Sequence, residues 1–354
     1  METRVLDKLD PLRDDLRGTI MLRKYAQTAR VRETITTSDL AFIADVIDRG
    51  VKSGYLNEAV PAIYETIGWR RDQKTFETAI DYEINAAKLI DRVPEKGEYP
   101  VMDPTISHYD FTVGKYGCQF DVSWEAWLRD NRDLGLLRGY PESWGLSARY
   151  TKAYLWALLY ASNATLFTVP QGNLMGAVDF FTGTANLTPA NLGEAITRLR
   201  GFADPAGNVM VYAGPIYLVV PSALEFVARA LVGSPVVTTG GNIILPTSNP
   251  LYGAANVVVD PFLAAVDPVN GSTAWYLFAA PAIRPALRYG YVMGYEEPEI
   301  FVKESAARAL MGGTSDPFDG SFSTDDIEFK MRFTWGAGLV DWRGALMVAN
   351  PAIY

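Results

Sequence analysis

The stretch Glu142 to Ser162, ESWGLSARYTKAYLWALLYAS, constrains this fold more than any other. Leu146, Tyr150, Ala153, Ala157 and Tyr160 recur near one face at helical spacing, and the C-terminal half is apolar nearly all the way round. A helix of that kind is buried on most sides. At 1.5 Å per residue it is roughly 30 Å long, enough to be the spine of a domain. Leu158 is expected inside, where Leu158→Asp would bury an unpaired charge. The rest of the 354-residue chain can supply the surroundings. It is 49% hydrophobic and 21% charged, which permits a sizeable core and excludes wholesale disorder. The length suits one large or two intimately joined domains; taken alone it also admits a single α/β barrel.

Other elements follow from local signals. In LTPANLGEAITRLRG, Thr188 caps a helix, Pro189 takes the first helical position and Gly201 ends it. Ile216 to Val220 reads as a buried strand. Ser222-x-x-Glu225 reads as a capping box opening the helix ALEFVARAL. Val257 to Val259 and Trp275 to Phe278 are further short buried strands, so 185–282 forms an α/β or α+β unit. Ile327, Phe329, Met331 and Phe333 alternate with Glu328, Lys330, Arg332 and Thr334, the pattern of a strand with one wet face. Ile300, Phe301 and Val302 form another strand. Short helices are expected over 37–51, from Val60 to Trp69 and over 123–130, and a loop from Pro170 to Thr184. Residues 1–35 are densely charged with both signs and read as a solvated, partly helical arm.

The segment DRVPEKGEYPVMDP has Pro on both sides of a Gly and no helical period, so it is an extended, exposed excursion. Strand-like stretches flank it. Phe111, Val113, Tyr116, Phe120 and Val122 are β-formers in a partly alternating pattern. The whole of 76–122 thus reads as a long two-stranded finger.

Little here points to catalysis. His108 is the single histidine, which excludes multi-histidine metal clusters, and no G-x-S-x-G elbow supports a serine triad. Cys118 is the single cysteine. An intrachain disulfide is therefore excluded, and the residue reads as a small filler in a strand. The carboxylate pairs Glu95 with Glu98, Glu296 with Glu297 and Asp325 with Asp326 are neighbours in loops, which rarely flank a cleft as hydrolysis requires. Gly240-Gly241 lacks the lysine of a phosphate loop. Trp156 and Trp275 sit in apolar runs and read as core. A net charge of -9 disfavours direct nucleic-acid binding. The N-terminus has no apolar core of a signal peptide, and Ala153 to Ala161 is too short to span a bilayer. No cofactor and no metal are called for. A good core, an extended finger and no site describe a protein whose product is its own assembly.

In their order these stretches resemble the major head (major capsid) proteins of tailed phages, in particular the Mu-like head-subunit group with the Hong Kong 97-type capsid fold. TSDLAFIADVIDRGVKSGYLNEAVPAIYETIGW resembles the helical lead-in. RVPEKGEYP with YDFTVGKYGCQFDVSWEAWLRDNRDLG resembles the extension loop and the start of the spine region. LTPANLGEAITRLRGFADPAGNVMVYAGPIYLVVPSALEFVARALVGS resembles the axial domain, NVVVDPFL and WYLFAAP its return strands, and FKMRFTWGAGLVDWRGALMVANP the closing strand of the peripheral domain.

The resemblance implies an α+β protein in five stretches. These are an N-terminal arm (1–74), an extended E-loop (75–122), a peripheral domain with the spine helix (123–175), an axial domain (176–282) and the return strands of the peripheral domain (283–354). It implies a non-enzymatic subunit that forms hexamers and pentamers, closes into an icosahedral head around double-stranded DNA, and works with portal, scaffold and decoration proteins in a virion assembled in a bacterial cytoplasm. Arg92, Glu95, Lys96 and Glu98 of the E-loop are the candidate intersubunit contacts. An encapsulin-like nanocompartment shell shares the fold; an acid-pair hydrolase is the alternative of another class.

Overall fold

The computed structural model describes residues 49–57, 59–85, 92–99, 101, 105–123, 136–176, 185–203, 212–238, 246–303 and 326–349. The chain divides into two units: 1–46, 121–131 and 302–328 in one, and 47–120, 132–301 and 329–354 in the other. The expected arm over 1–35 and the helix over 123–130 lie outside the described residues, apart from Ser123. Of the helix expected over 37–51, residues 49–51 are described; they are helical, and the helix continues to 55.

Besides the helical residues 49–55, the helices among the described residues are α1 (Ile63–Ile67), α2 (Leu136–Tyr160), α3 (Pro189–Arg200), α4 (Glu225–Gly233) and α5 (Leu263–Val266). The strands are β1 (Gly68–Arg70), β2 (Ala79–Asn85), β3 (Thr105–Phe111), β4 (Gly114–Ser123), β5 (Leu174–Met175), β6 (Ile216–Val220), β7 (Val236–Thr238), β8 (Pro246–Ser248), β9 (Asn256–Val259), β10 (Trp275–Ala279), β11 (Leu287–Gly290), β12 (Glu299–Val302), β13 (Asp326–Leu339) and β14 (Ala345–Val348). One five-stranded sheet runs β1-β11-β13-β12, with β4 also on β13. A second runs β5-β14-β10-β6-β9. The pairs β2-β3 and β7-β8 each form a two-stranded antiparallel sheet.

The second sheet shows how a continuous apolar run is used. In β10, Tyr276 and Phe278 face one core while Trp275, Leu277 and Ala279 face another. β14 divides the same way: Ala345 and Met347 against Leu346 and Val348. Side chains alternate across a strand, so a central strand covered on both faces needs no polar position. The first core packs α2 on the sheets through Trp156, Tyr160, Tyr289 and Trp335. The second packs α3 through Leu192, Ala195 and Leu199, and α4 through Ala228 and Val232.

Helix α3 is built as its sequence dictates. The Thr188 hydroxyl accepts from the Asn191 amide at 3.2 Å, Pro189 opens the helix, and Gly201 ends it. Helix α4 departs from expectation. Residues Ser222–Leu224 form a 3-10 turn and no side chain caps the start. Glu225 instead accepts from Arg229 one turn on, at 2.8 Å, so its carboxylate is committed forward along the helix. The helix expected to reach Trp69 stops at Ile67. Gly68 is extended and pairs in parallel with β11, and a Cβ there would collide with Trp156 and the Tyr64 carbonyl.

Helix α2 begins before Glu142, running through Pro141 from Leu136. Pro141 is buried, and its Cβ lies 2.9 Å from where a Cβ on Gly50 would stand. Ala148, Lys152, Ala153, Trp156, Ala157 and Tyr160 are buried, whereas Tyr150, Tyr154 and Leu158 form an open stripe. Leu158 is 50% exposed, contrary to its expected place inside. Nothing in the hydrophobicity of LWALL marks which apolar side is covered. On β13, Phe329, Met331 and Phe333 are buried and Lys330 is exposed, as the alternation predicts. Thr334 departs from it: it is buried, accepting from the Val292 amide and donating to the Tyr295 carbonyl.

Candidate assembly surface

Among the described residues of the finger expected over 76–122, the strands paired with each other are β2 and β3. They pair antiparallel over seven positions, from Ala79 opposite Phe111 to Asn85 opposite Thr105. The strand expected to continue past Phe111 breaks at Thr112 and Val113, and β4 then joins the first sheet on β13.

Alternation gives the β2-β3 pair two unlike faces. On one, Ile80, Tyr82 and Ile106 are 51%, 68% and 60% exposed, and His108 stands opposite Tyr82. Apolar side chains so open are unusual for a face with no partner, and mark interaction surfaces. The other face is clamped. Asp81 accepts from both Arg288 and Arg71. The fully buried Arg288 also donates to the Tyr109 carbonyl at 2.9 Å and stacks on Phe111 at 4.7 Å. Burial lowers the Arg288 pKa from its ordinary value and the Asp81 carboxylate opposes that fall; a guanidinium nonetheless stays charged. Gln73 donates to the Phe111 carbonyl at 2.8 Å, and the hydroxyls of Thr78 and Thr112 meet at 3.0 Å. The base of the finger is thereby fixed.

Residues 92–99 carry the four charged candidates. The Gly97 amide donates to the Pro94 carbonyl at 2.9 Å, closing a tight turn with Lys96 at φ 60°. Arg92, Glu95, Lys96 and Glu98 are all exposed, and among the described residues none makes an ion pair. Tyr99 and Val101 are 80% and 83% exposed beside them. The turn therefore brings two positive and two negative groups and two apolar ones to the surface together. The charges were legible from composition. The Asp81–Arg288 clamp was not, because it joins positions 207 residues apart.

The residues that chemistry would require stand apart. His108 is exposed on the finger. Cys118 is exposed on β4, not the packed filler its sequence suggested, and partial desolvation still pushes its thiol pKa up, away from the reactive thiolate. Glu296 accepts from the Gly294 amide at 3.3 Å and lies 3.8 Å from Arg70. Asp325 lies outside the described residues, as do Gly240 and Gly241. Among the described residues no three acids, cysteines or histidines gather to hold a metal ion. No described helix is long and apolar enough to cross a membrane. Trp156 and Trp275 are both core.

Solved structures similar to this chain include phage chains and a virus-like particle. A chain from Mycobacterium phage Ogopogo is 11% identical with a TM-score of 0.48, covering 82% of this chain and 91% of its own. One from Mycobacterium phage Cain is 11% identical at 0.48, covering 86% and 91%. The virus-like particle from Pyrococcus furiosus is 11% identical at 0.43, covering 90% and 100%. No curated protein matches the chain. The family model described as phage capsid protein matches residues 109–348, more than half of the chain. Those residues run from β3 to β14 and hold the strands of the two five-stranded sheets except β1, and this chain belongs to the phage capsid protein family.

Proposed function

We propose that this capsid shell protein assembles as hexamers and pentamers into an icosahedral head that encloses double-stranded DNA. The family match over 109–348 carries the reading. One chain that occupies non-identical places in a closed shell needs rigid bodies joined to an adaptable contact. The clamped β2-β3 pair and the exposed charged turn at 92–99 support that role. The Hong Kong 97-type division into N-terminal arm, E-loop, peripheral domain and axial domain is the corresponding assignment, with β14 contributing its strand to the sheet of β6 and β10. Arg92, Glu95, Lys96 and Glu98 are the proposed contacts with a neighbouring subunit, the exposed Ile80, Tyr82 and Ile106 lying on the same finger.

The subunit is proposed to have no catalytic role, to meet portal, scaffold and decoration proteins during assembly in the host cytoplasm, and to face packaged DNA with an acidic surface that favours sliding over adhesion. Electron microscopy of the purified full chain tests the reading. Closed shells are expected, and a monomer that forms none at any salt or protein concentration overturns it. Shells isolated from infected cells with protein cargo and no DNA would favour the nanocompartment instead.

A further inference from the structure

Lys152 lies in the middle of α2 with 0% exposure. Its Nζ donates to the Tyr55 hydroxyl at 2.7 Å, with the Glu296 carbonyl at 3.4 Å. Four rings enclose it: Tyr55 at 4.6 Å, Tyr291 at 4.7 Å, Phe333 at 5.3 Å and Trp335 at 5.7 Å. Among the described residues no carboxylate comes within ion-pair distance of it. Aromatic faces compensate a buried ammonium only in part, so a fold that buries one without a counter-ion favours the neutral amine.

The cage closes only while the helical segment 49–55 is seated, because Tyr55 comes from it. Seating is tight: a Cβ on Gly54 would collide with the Glu142 carbonyl, and one on Gly145 with the Val51 carbonyl. Arg149, one turn before Lys152, holds the same joint by donating to the carbonyls of Val60 and Tyr55, at 2.7 and 3.1 Å. We propose that Lys152 is a proton-operated latch: with its amine neutral it keeps segment 49–55 seated on α2, and taking up a proton loosens that segment.

The charges around it set the direction. Desolvation brings the Lys152 pKa down to about 7, with Glu65 and Glu297 opposing the fall and Arg149 adding to it. Burial raises the hydroxyls of Tyr55, Tyr64 and Tyr291 above their ordinary value, so they stay neutral. Arg70 sits over the Tyr291 ring at 5.3 Å and lies 3.8 Å from Glu296. With the segment lifted, Lys152 meets water and regains an ordinary lysine pKa of about 10.4. Between the two values the open form carries the extra proton. Opening therefore becomes about tenfold more favourable for each unit of falling pH across that window, and levels off below about 7.

This inference does not depend on what shell the chain builds. Hydrogen exchange of the full chain, corrected for intrinsic rates, tests it from pH 6 to 10. Protection of amides 49–55 is expected to rise about tenfold per unit above pH 7, with no such slope in α3. In Lys152→Met, which keeps the apolar stem, protection should be flat and no lower than the wild-type level at high pH. A flat wild-type profile, the same slope in the variant, or the same slope in α3 overturns the latch. Titration of the Lys152 Nζ by nuclear magnetic resonance in the wild-type chain decides the matter if the variant fails to fold: a midpoint near 7 supports the latch, and one near 10 overturns it.

Discussion

At Asp81 one carboxylate serves two guanidinium groups, and one of those is fully buried. Removing the acid while leaving Arg288 in place strands a cation away from water. Asp81 itself keeps some exposure, which reduces the penalty below that of a wholly buried pair. Asp81→Asn is expected to destabilise the chain by about 3 kcal/mol, toward the lower end for a broken buried pair. A shift in the urea midpoint at unchanged slope measures it. A change under about 0.5 kcal/mol, the range of an ordinary surface substitution, would show that the clamp contributes little. The Arg71 side of the same contact is half exposed, and its loss should matter far less.

At the scale of the element, the spine helix separates two adjacent positions that hydrophobicity alone treats alike. Ala157 is 0% exposed and Leu158 is 50% exposed. Ala157→Asp buries an unpaired charge and is expected to cost about 4 kcal/mol or to prevent folding. Leu158→Asp leaves its carboxylate in water and should cost about 1 kcal/mol or less in the free subunit. Thermal unfolding of the two variants side by side checks the contrast; equal losses would place Leu158 back in the core. The finger calls for a different measurement, because its charges act outside the subunit. Exposed pairs contribute about 0–1 kcal/mol each, yet the contact repeats at every subunit of a closed shell. Glu95→Lys with Glu98→Lys should leave circular dichroism unchanged and lower particle yield, more at low salt than at high salt. Normal yield at both ionic strengths would remove these charges from assembly.

For the whole molecule, the proposed absence of catalysis has a direct consequence. His108 and Cys118 are the residues most often recruited for chemistry, and each stands exposed on its own strand. His108→Ala combined with Cys118→Ser is expected to give particles in wild-type yield, counted by electron microscopy. Folded subunits that no longer close would show that one of the two side chains takes part in the shell.

Several features needed only the order of residues. The Thr188 cap, the Pro189 start, the apolar run Trp275–Ala279 and the alternation Phe329-Met331-Phe333 are settled by neighbours a few positions away, since caps and periodicities are local. The charged turn at 92–99 was readable for the same reason: Pro94 and Gly97 make it, and nothing distant is required. Other features depend on where the chain returns. Gly68 leaves its helix because β11 lies beside it, Thr334 is buried because the Val292 and Tyr295 backbones meet its hydroxyl, and Leu158 is open because the neighbouring elements cover other sides of α2. Lys152 is the extreme case. By sequence it is an unremarked polar residue in an apolar helix; it becomes a caged amine only when Tyr55, Tyr291, Phe333 and Trp335 converge from separate stretches of the chain. Burial and electrostatic environment are properties of that convergence, which periodicity along one element does not contain.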